Sequence, residues 1–469
     1  MGVQSLQTKP LRKCNDPTEY KIYRAALEWS LDEPIVIENR EDLRSEHQWR
    51  ERVEPYYHQV TNLITFCRRL PVTLLADDVG LGKTISAGLV VSELMARSRV
   101  SRILVVCPKL LIPQWKEELQ TKFGIEGLEA TGRELLTTKP PEAGGAVITT
   151  FHSARLHFDG IAKAGFEMLI LDEAHKLRNL YGVEKPPQVA VRIRKALADR
   201  QFKYVLMLTA TPIHNRLWDL YSLIDLLTVA RGHQNPFGSV GMFARNFIAD
   251  NKTDARKLKP DRRDEFRSIV YSYMSRIRRA DANLYFPDRK VQVHKVKPTR
   301  EELKLFSIVA KYITQLNPLS QYSLLLALTS SPQALLSQTQ TMARNKTAPA
   351  SFASDVNAVV QNMKTTAKLD GLIALINKLK KEQPENWRVV IFTESRETQT
   401  TIEALLSEHG ISCGLINGDS AVRNQETIEK FRTKPTPKIN VMISTRAGSE
   451  GVNLQVANVL VNYDLPWNP

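Results

Sequence analysis

Between Leu74 and Thr84 the chain reads LLADDVGLGKT: the end of an apolar run, two aspartates, a turn carrying Gly80 and Gly82, and then Lys83 and Thr84 opening a helical pattern. A buried strand that breaks into a glycine-rich turn and restarts as a helix is the signature of a phosphate-binding loop. The glycines let backbone N–H groups close around anionic oxygens at a helix N-terminus, where unpaired donors and the dipole favour negative charge. In that reading Asp78, Gly80, Gly82, Lys83 and Thr84 hold a nucleotide such as ATP. Lys83 reaches the β- and γ-phosphates and the Thr84 hydroxyl takes Mg²⁺. The strict pattern asks for Gly five residues before Gly82, where Asp77 stands; the looser pattern A-x-x-x-G-x-G-K-T, starting at Ala76, is met. The alternative is a tight strand-to-helix turn with a chance lysine.

Similar runs surround this stretch. VTLLAD (72–77), RILVVC (102–107), AVITT (146–150), MLILD (168–172) and YVLMLT (204–209) are five or six residues long, mostly apolar, and separated by helix-length segments. That alternation predicts an open parallel α/β sheet. MLILD closes on Asp172, followed by Glu173, 89 residues after Lys83 (172 − 83). Asp172 can hold Mg²⁺, usually through water, and Glu173 can orient or deprotonate an attacking water. Adjacent carboxylates at a strand end also serve as helix caps, but the preceding loop, with Ala174 and His175 completing the tetrad, favours the catalytic reading. Gln59, in PYYHQ (55–59), lies upstream of the loop; its amide can read an adenine edge, or it is an ordinary surface glutamine. LTATPIHNRLWDL (208–220) offers Thr209 and Thr211 as links between the γ-phosphate site and a nucleic-acid face, or as a helix cap and a turn hydroxyl.

The alternation runs from about Glu51 to Asn235. Residues 1–50 carry no motif and read as an accessory extension. Residues 236–365 show no strand alternation through most of their length, and helical spacing appears at Leu305, Val309, Tyr312 and Ile313. Within them the segment 320–354, rich in Ser, Thr, Gln and Ala, reads as partly mobile. From Thr366 the α/β pattern returns in RVVIF (388–392), ISCGLI (411–416), INVMIS (439–444) and VLVNY (459–463). The expected plan is therefore an extension (1–50), an α/β lobe (51–235), a helical insert (236–365) and a second α/β lobe (366–469). With 42% hydrophobic and 25% charged residues, the composition is that of globular domains with sizeable cores. No apolar run nears the roughly 20 residues that cross a bilayer, and the first thirty lack the apolar stretch of a signal peptide. Cys14, Cys67, Cys107 and Cys413 show no C-x-x-C spacing and the histidines form no ligand pair. That argues against a zinc site or disulfide framework and fits a reducing cytoplasm. Lys plus Arg outnumber Asp plus Glu by 65 to 50, a net charge of +15, which suits either a polyanion partner or a lysine-rich solvated surface.

Taken in order, VVCPKLLIPQW (105–115), ITTFHSAR (148–155), LDEAHKLRN (171–179) and LTATPIHNRLWDLYSLIDLL (208–227) resemble the first-lobe motifs of the Swi/Snf-type branch of superfamily-two helicases. DDVGLGKT and TATP are spelled most nearly as in bacterial RapA-like members. MSRIRRADANLYFPDRKVQV (274–293) is similar to that family's arginine-pair linker. KLDGLIALI (368–376), RVVIFTES (388–395), LINGD (415–419) and ISTRAGSEGVNLQVANVLVNYDLPWNP (443–469) are similar to its second-lobe series. The resemblance spans about residues 51–469, the insert matching only weakly. It implies two RecA-like lobes with ATP between them, and a DNA-dependent ATPase that translocates along duplex DNA, or RNA, usually without unwinding it.

The resemblance also implies contacts to one strand's phosphates from Lys109, Thr149, Thr150, Thr445 and Arg446, each of which also reads as a solvated residue or a cap. It puts Glu450, with Gly451, Asn453 and Gln455, in the segment that joins the DNA face to the nucleotide pocket. Lys252–Arg279 holds ten Lys/Arg against four Asp/Glu; with Arg278 and Arg279 it reads as a DNA-facing protrusion, or as a solvated helix face. Trp115, Trp218 and Trp467 read as packing residues. In the family the next motif beyond PWNP is a Q-R-x-G-R-like segment whose arginines complete the ATP site, and such a finger is worth on the order of 10³–10⁵ in rate. The sequence stops at Pro469, so the second lobe is expected to be incomplete, with an exposed edge. The chain is expected to bind ATP and DNA but to turn over poorly unless a partner chain supplies the arginines. A non-hydrolysing binding fragment and a strand-separating helicase are the competing readings.

Overall fold

The apolar runs around the glycine loop pair side by side in the computed structural model. It describes residues 35, 37, 40–138, 144–161, 164–181, 185–213, 215–282, 284, 290–384, 387–418, 421–434, 436–445 and 456–465. The chain divides into two compact units: residues up to Cys107 with Gln114–Leu284, and Pro108–Pro113 with the residues beyond Leu284.

In the first unit seven strands form one parallel sheet: β1 (Val72–Leu75), β2 (Arg102–Cys107), β3 (Gly127–Glu129), β4 (Gly145–Thr150), β5 (Met168–Asp172), β6 (Tyr204–Leu208) and β7 (Met274–Ser275). Their order is β3-β4-β2-β5-β6-β1-β7. β1, β4, β5 and β6 are buried along their whole length, which is why each reads as an unbroken apolar run. β3 and β7, which the sequence reading did not foresee, are the outer strands. At three and two residues they are too short to carry a pattern.

Register positions the site. Leu75 of β1 and Asp172 of β5 both lie opposite Leu208 of β6. Three neighbouring strands therefore finish level, and the segments that follow them leave the same edge of the sheet. In open α/β sheets that carboxyl edge is where ligands bind.

The helical stretch expected over 236–365 is divided. Its first part belongs to the first unit: Phe237, Phe243, Phe247, Phe266 and Tyr273 are buried in the core beneath Trp218 and Tyr221. Their rings meet at 4.7–5.2 Å in pairs such as Tyr221–Phe243, Trp218–Phe243 and Phe237–Phe266. Aromatic pairs of this kind contribute beyond their buried area, and they fasten the helices Val240–Phe247 and Arg263–Tyr273 to the lobe that precedes them.

The second part, in the second unit, is four helices: Arg300–Ile313, Pro318–Ser330, Pro332–Arg344 and Ala350–Val360. They close on Leu305, Val309, Leu324, Leu335, Met342, Phe352 and Val356. Residues 320–354, expected to be partly mobile, are largely helical. Polar residues in and just before this run serve as caps: Asn317 Oδ1 accepts from Ser320 N and Ser331 Oγ from Ala334 N, each with proline in the first turn. Caps of this kind are worth about 0.5–2 kcal/mol each. The unit's own parallel sheet is β8 (Val389–Thr393), β9 (Cys413–Ile416), β10 (Val441–Thr445) and β11 (Val459–Asn462), in the order β11-β8-β10-β9. No helix among the described residues is long and apolar enough to cross a membrane.

Candidate functional site

β1 delivers the chain into the turn Ala76–Gly82, and Lys83–Ala96 restarts it as a helix capped by Gly82. Gly80 and Gly82 take φ of +86° and +70°, a region that side chains with a Cβ avoid. A Cβ on Gly82 would also stand 2.5 Å from Gln59 Nε2. Lys83 Nζ donates to Asp77 O at 2.9 Å and to Asp78 O at 3.4 Å. Burial lowers the Lys83 amine, while the charges of Glu173, Asp172, Asp77 and Asp78 work to raise it. The loop lysine and the strand-end carboxylates therefore lie within electrostatic reach of one another.

Gln59 is buried, not a surface residue. Its Nε2 donates to Leu81 O at 3.1 Å and its Oε1 accepts from Tyr56 N at 2.9 Å, while His58 Nε2 lies 2.8 Å from the same Leu81 carbonyl. The amide is thus a strut under the phosphate loop. Thr84 stands in the first turn of the loop helix.

Asp172 and Glu173 occupy different environments. Asp172 is buried; its Oδ2 accepts from Trp115 Nε1 at 2.8 Å and its Oδ1 from Glu173 N at 2.9 Å. Burial pushes its carboxyl up to about 6, with the Glu173 charge adding to the rise and the Trp115 hydrogen bond opposing it. Glu173 sits at φ +52°, a left-handed backbone that costs a non-glycine residue about 1–2 kcal/mol. Burial works to raise its carboxyl too, but the hydrogen bond and charge of His175, with Lys83 and Lys176, hold it below its usual range. Two adjacent carboxylates pushed apart in this way suit different roles. His175 Nδ1 lies 3.1 Å from Glu173 Oε2 and 3.3 Å from Thr209 Oγ1, which in turn accepts from Thr211 N at 3.2 Å. A polar chain thus runs from the catalytic candidate to the segment after β6.

Does the donor set fit Mg²⁺? Among the described residues no group of three or more His, Cys, Asp and Glu could hold a metal. Mg²⁺ needs none, taking one or two carboxylates with phosphate oxygens and waters. Two of the roughly four lone-pair sites of Asp172 are engaged, and the rest of this buried carboxylate, with the Thr84 hydroxyl, is a hard-oxygen set that suits the ion.

One part of the site was not visible in the sequence. The segment 275–279 is laid along the phosphate loop: Ala76 N donates to Ser275 O (2.7 Å), Asp78 N to Ile277 O (3.1 Å) and Ile277 N to Asp77 Oδ1 (2.9 Å). Arg279 adds its N to Asp78 Oδ2 (3.1 Å) and its Nε to Val79 O (2.8 Å), and Arg276 pairs with Asp78 at 3.6 Å. Asp77, the departure from the strict loop pattern, is buried and holds this strap on one oxygen and Asn62 Nδ2 (2.6 Å) on the other. Asp77→Ala orphans the Ile277 N–H and leaves Asn62 Nδ2 only Ser86 Oγ, at 3.3 Å; an unsatisfied buried donor costs about 1–3 kcal/mol. With relief of the buried charge set against this, urea unfolding of the first unit is expected to show a loss of about 1–3 kcal/mol. An unchanged midpoint would show that the strap adds nothing to the fold.

The expected nucleic-acid residues do not share one environment. Lys109, Arg278 and Arg279 are exposed. Thr149, Thr150 and Thr445 are buried, and Thr150 Oγ1 caps the next helix by accepting from Ser153 N at 3.0 Å. Arg446, Glu450, Gly451, Asn453, Gln455 and Trp467 lie outside the described residues. Trp218 is buried as expected, its Nε1 donating to Lys252 O at 2.9 Å. In the second unit Asp464 gathers Ser330 Oγ, Thr393 Oγ1 and Lys368 Nζ at 2.7, 2.6 and 3.2 Å, tying three of its motifs together.

Known proteins resemble this chain along most of its length. Residues 57–346 match the SNF2-related domain and residues 367–469 the helicase conserved C-terminal domain. An uncharacterized ATP-dependent helicase of Bacillus subtilis, YqhH, is 31% identical over 405 residues, which are 84% of this chain and 67% of that protein. The mouse DNA excision repair protein ERCC-6 is 26% identical over 431 residues, 84% of this chain but 28% of its own length. The chain therefore spans about two thirds of the first relative and little over a quarter of the second. In fold, the helicase domain of Pyrococcus furiosus Hef aligns with a TM-score of 0.50 at 16% identity, over 89% of this chain and 91% of that one.

Proposed function

The chain belongs to the SNF2-related family of ATP-dependent helicases and translocases, and from that membership we propose that it couples ATP hydrolysis to movement along duplex DNA. One observation carries the nucleotide half of this reading. The glycine loop, Asp172–Glu173 and Thr209 follow strands that finish level on Leu208, at one edge of one sheet.

In this reading Lys83 exchanges its bonds to the Asp77 and Asp78 carbonyls for the β- and γ-phosphates of ATP. Thr84 and Asp172 hold the Mg²⁺, which supplies charge neutralisation at the phosphate oxygens. Glu173, kept ionised beside His175, orients the attacking water and accepts its proton. The chain Glu173–His175–Thr209–Thr211 carries news of the phosphate to the DNA-binding face. Duplex DNA is engaged by the exposed basic stretch Lys252–Arg279 and by Lys109, with phosphate contacts dominating affinity.

Lys83→Ala is the direct test of the nucleotide site. Losing a charge-assisted contact to phosphate costs about 3 kcal/mol, so ATP–Mg²⁺ affinity measured by calorimetry is expected to fall about 100-fold. Equal affinity in the two proteins would sink the site.

A further inference from the structure

Three buried tryptophans of the first unit direct their single polar atom to different ends. Trp49 donates to Ser45 Oγ and Trp218 to the Lys252 carbonyl, bonds that satisfy an indole and hold neighbouring chain. Trp115 donates to the carboxylate of Asp172, 57 residues further along. We propose that Trp115 is a positioning residue for the Mg²⁺-holding carboxylate, its indole N–H fixing the direction in which Asp172 presents its remaining lone pairs. This rests on the nucleotide reading above.

The geometry supports it at three points. Trp115, on the helix Ile112–Phe123, is 1% exposed, so the donor cannot turn to water. Tryptophan only donates, so it offers no lone pair that would compete with Asp172 for a cation. Each oxygen of Asp172 has one fixed donor, Trp115 Nε1 at 2.8 Å on one and Glu173 N at 2.9 Å on the other. A carboxylate held at both oxygens cannot swivel about its Cβ–Cγ bond without breaking a buried charge-assisted bond. Outer partners of this kind orient metal ligands, and losing one typically weakens metal affinity about 10–100-fold.

The experiment removes the donor and leaves the volume. Trp115 is replaced by β-(3-benzothienyl)alanine, in which sulfur stands for the N–H, and in parallel by Trp115→Phe. Binding of N-methylanthraniloyl-ATP is followed by fluorescence, first in EDTA and then across a Mg²⁺ titration. The expected result is unchanged affinity in EDTA and a half-saturating Mg²⁺ concentration raised about tenfold or more. In an Asp172→Ala background, which takes away the acceptor, the same replacement should add nothing, since the two changes remove one interaction. A Mg²⁺ titration unchanged in the isostere, while Lys83→Ala still weakens nucleotide binding about 100-fold, overturns the positioning role alone. So does an isostere effect that persists in full without Asp172. Nucleotide binding indifferent to Lys83→Ala overturns the nucleotide reading, and the positioning role with it. If Trp115→Phe melts early, the isostere decides: a lowered melting temperature with normal Mg²⁺ dependence marks Trp115 as packing only.

Discussion

Raising the salt from about 50 to about 200 mM is expected to lower the affinity of this protein for duplex DNA about 10³–10⁵-fold, the loss that goes with neutralising roughly six to ten phosphates. The net charge of +15 sets the sign, and the structure narrows the source. Of the ten cations in Lys252–Arg279, all but Lys259 are exposed. Arg262 is engaged by Glu265, Arg276 by Asp78, and Arg279 lies on the Val79 carbonyl. Lys252, Arg256, Lys257, Arg263, Arg267 and Arg278 make no ion pair among the described residues. Arg263 and Arg267 stand one turn apart on the helix Arg263–Tyr273. Reversing both to Glu should weaken binding to unrelated duplexes alike and flatten the plot of log affinity against log salt by about two. Fluorescence anisotropy over a salt series reads both quantities. Affinity that ignores salt, or a slope the double variant leaves untouched, would remove phosphate contacts from this face.

Glu173→Gln is expected to keep ATP and lose its hydrolysis, with the single-turnover rate on duplex DNA falling about 10²–10⁴-fold, the usual contribution of a positioned general base. Glutamine keeps the shape of Glu173 and can still bond His175, so the loop and Asp172 should stand unchanged. What it cannot do is take a proton. Because His175, Lys83 and Lys176 hold the Glu173 carboxyl below its usual range, the wild-type group is ionised at neutral pH and ready to accept one. Rapid-quench measurement separates the two steps: nucleotide affinity within about twofold of wild type, with cleavage slowed, is the pattern of an interaction made mainly in the transition state. Cleavage at the wild-type rate would move water activation to another residue.

What was legible in the sequence was local. The glycine loop reads from eleven consecutive residues, LLADDVGLGKT. β2 and β5 were found at their true bounds, because burial on both faces makes every residue but Arg102 at the start of one and Asp172 at the end of the other apolar. β7 has two residues and no pattern to find. Trp115 was read as packing, and it is packed. Its second use depends on Asp172 lying across the sheet edge, which no spacing reports. Gln59 was read as an adenine-edge reader or a surface glutamine; it is buried, and beside the local bond from Tyr56 N its partner is Leu81 O, 22 residues on, which no spacing reports. The Ser- and Thr-rich run 320–354 lies in the stretch read as helical and is largely helical, yet its composition alone is ambiguous for a chemical reason. The same hydroxyls and amides that favour loops also cap helices, and only the packed leucines and Phe352 decide between the two.

The strap over the phosphate loop also has a consequence in time. Ile277 N reaches Asp77 across 200 residues of chain, and Arg279 reaches Asp78 across 201. Ribosomes add about 5–20 residues each second, so the loop waits roughly 10–40 s after its own synthesis before these partners exist. Through that interval Asp77 has Asn62 to bond but not Ile277, and the outer edge of β1 has no β7 to cover it. A nascent chain in this window offers an open strand edge beside a half-satisfied buried carboxylate, the kind of surface that chaperones hold and that pairs wrongly with other chains. The stretch that announces itself earliest in the sequence is among the last parts of its lobe to be finished.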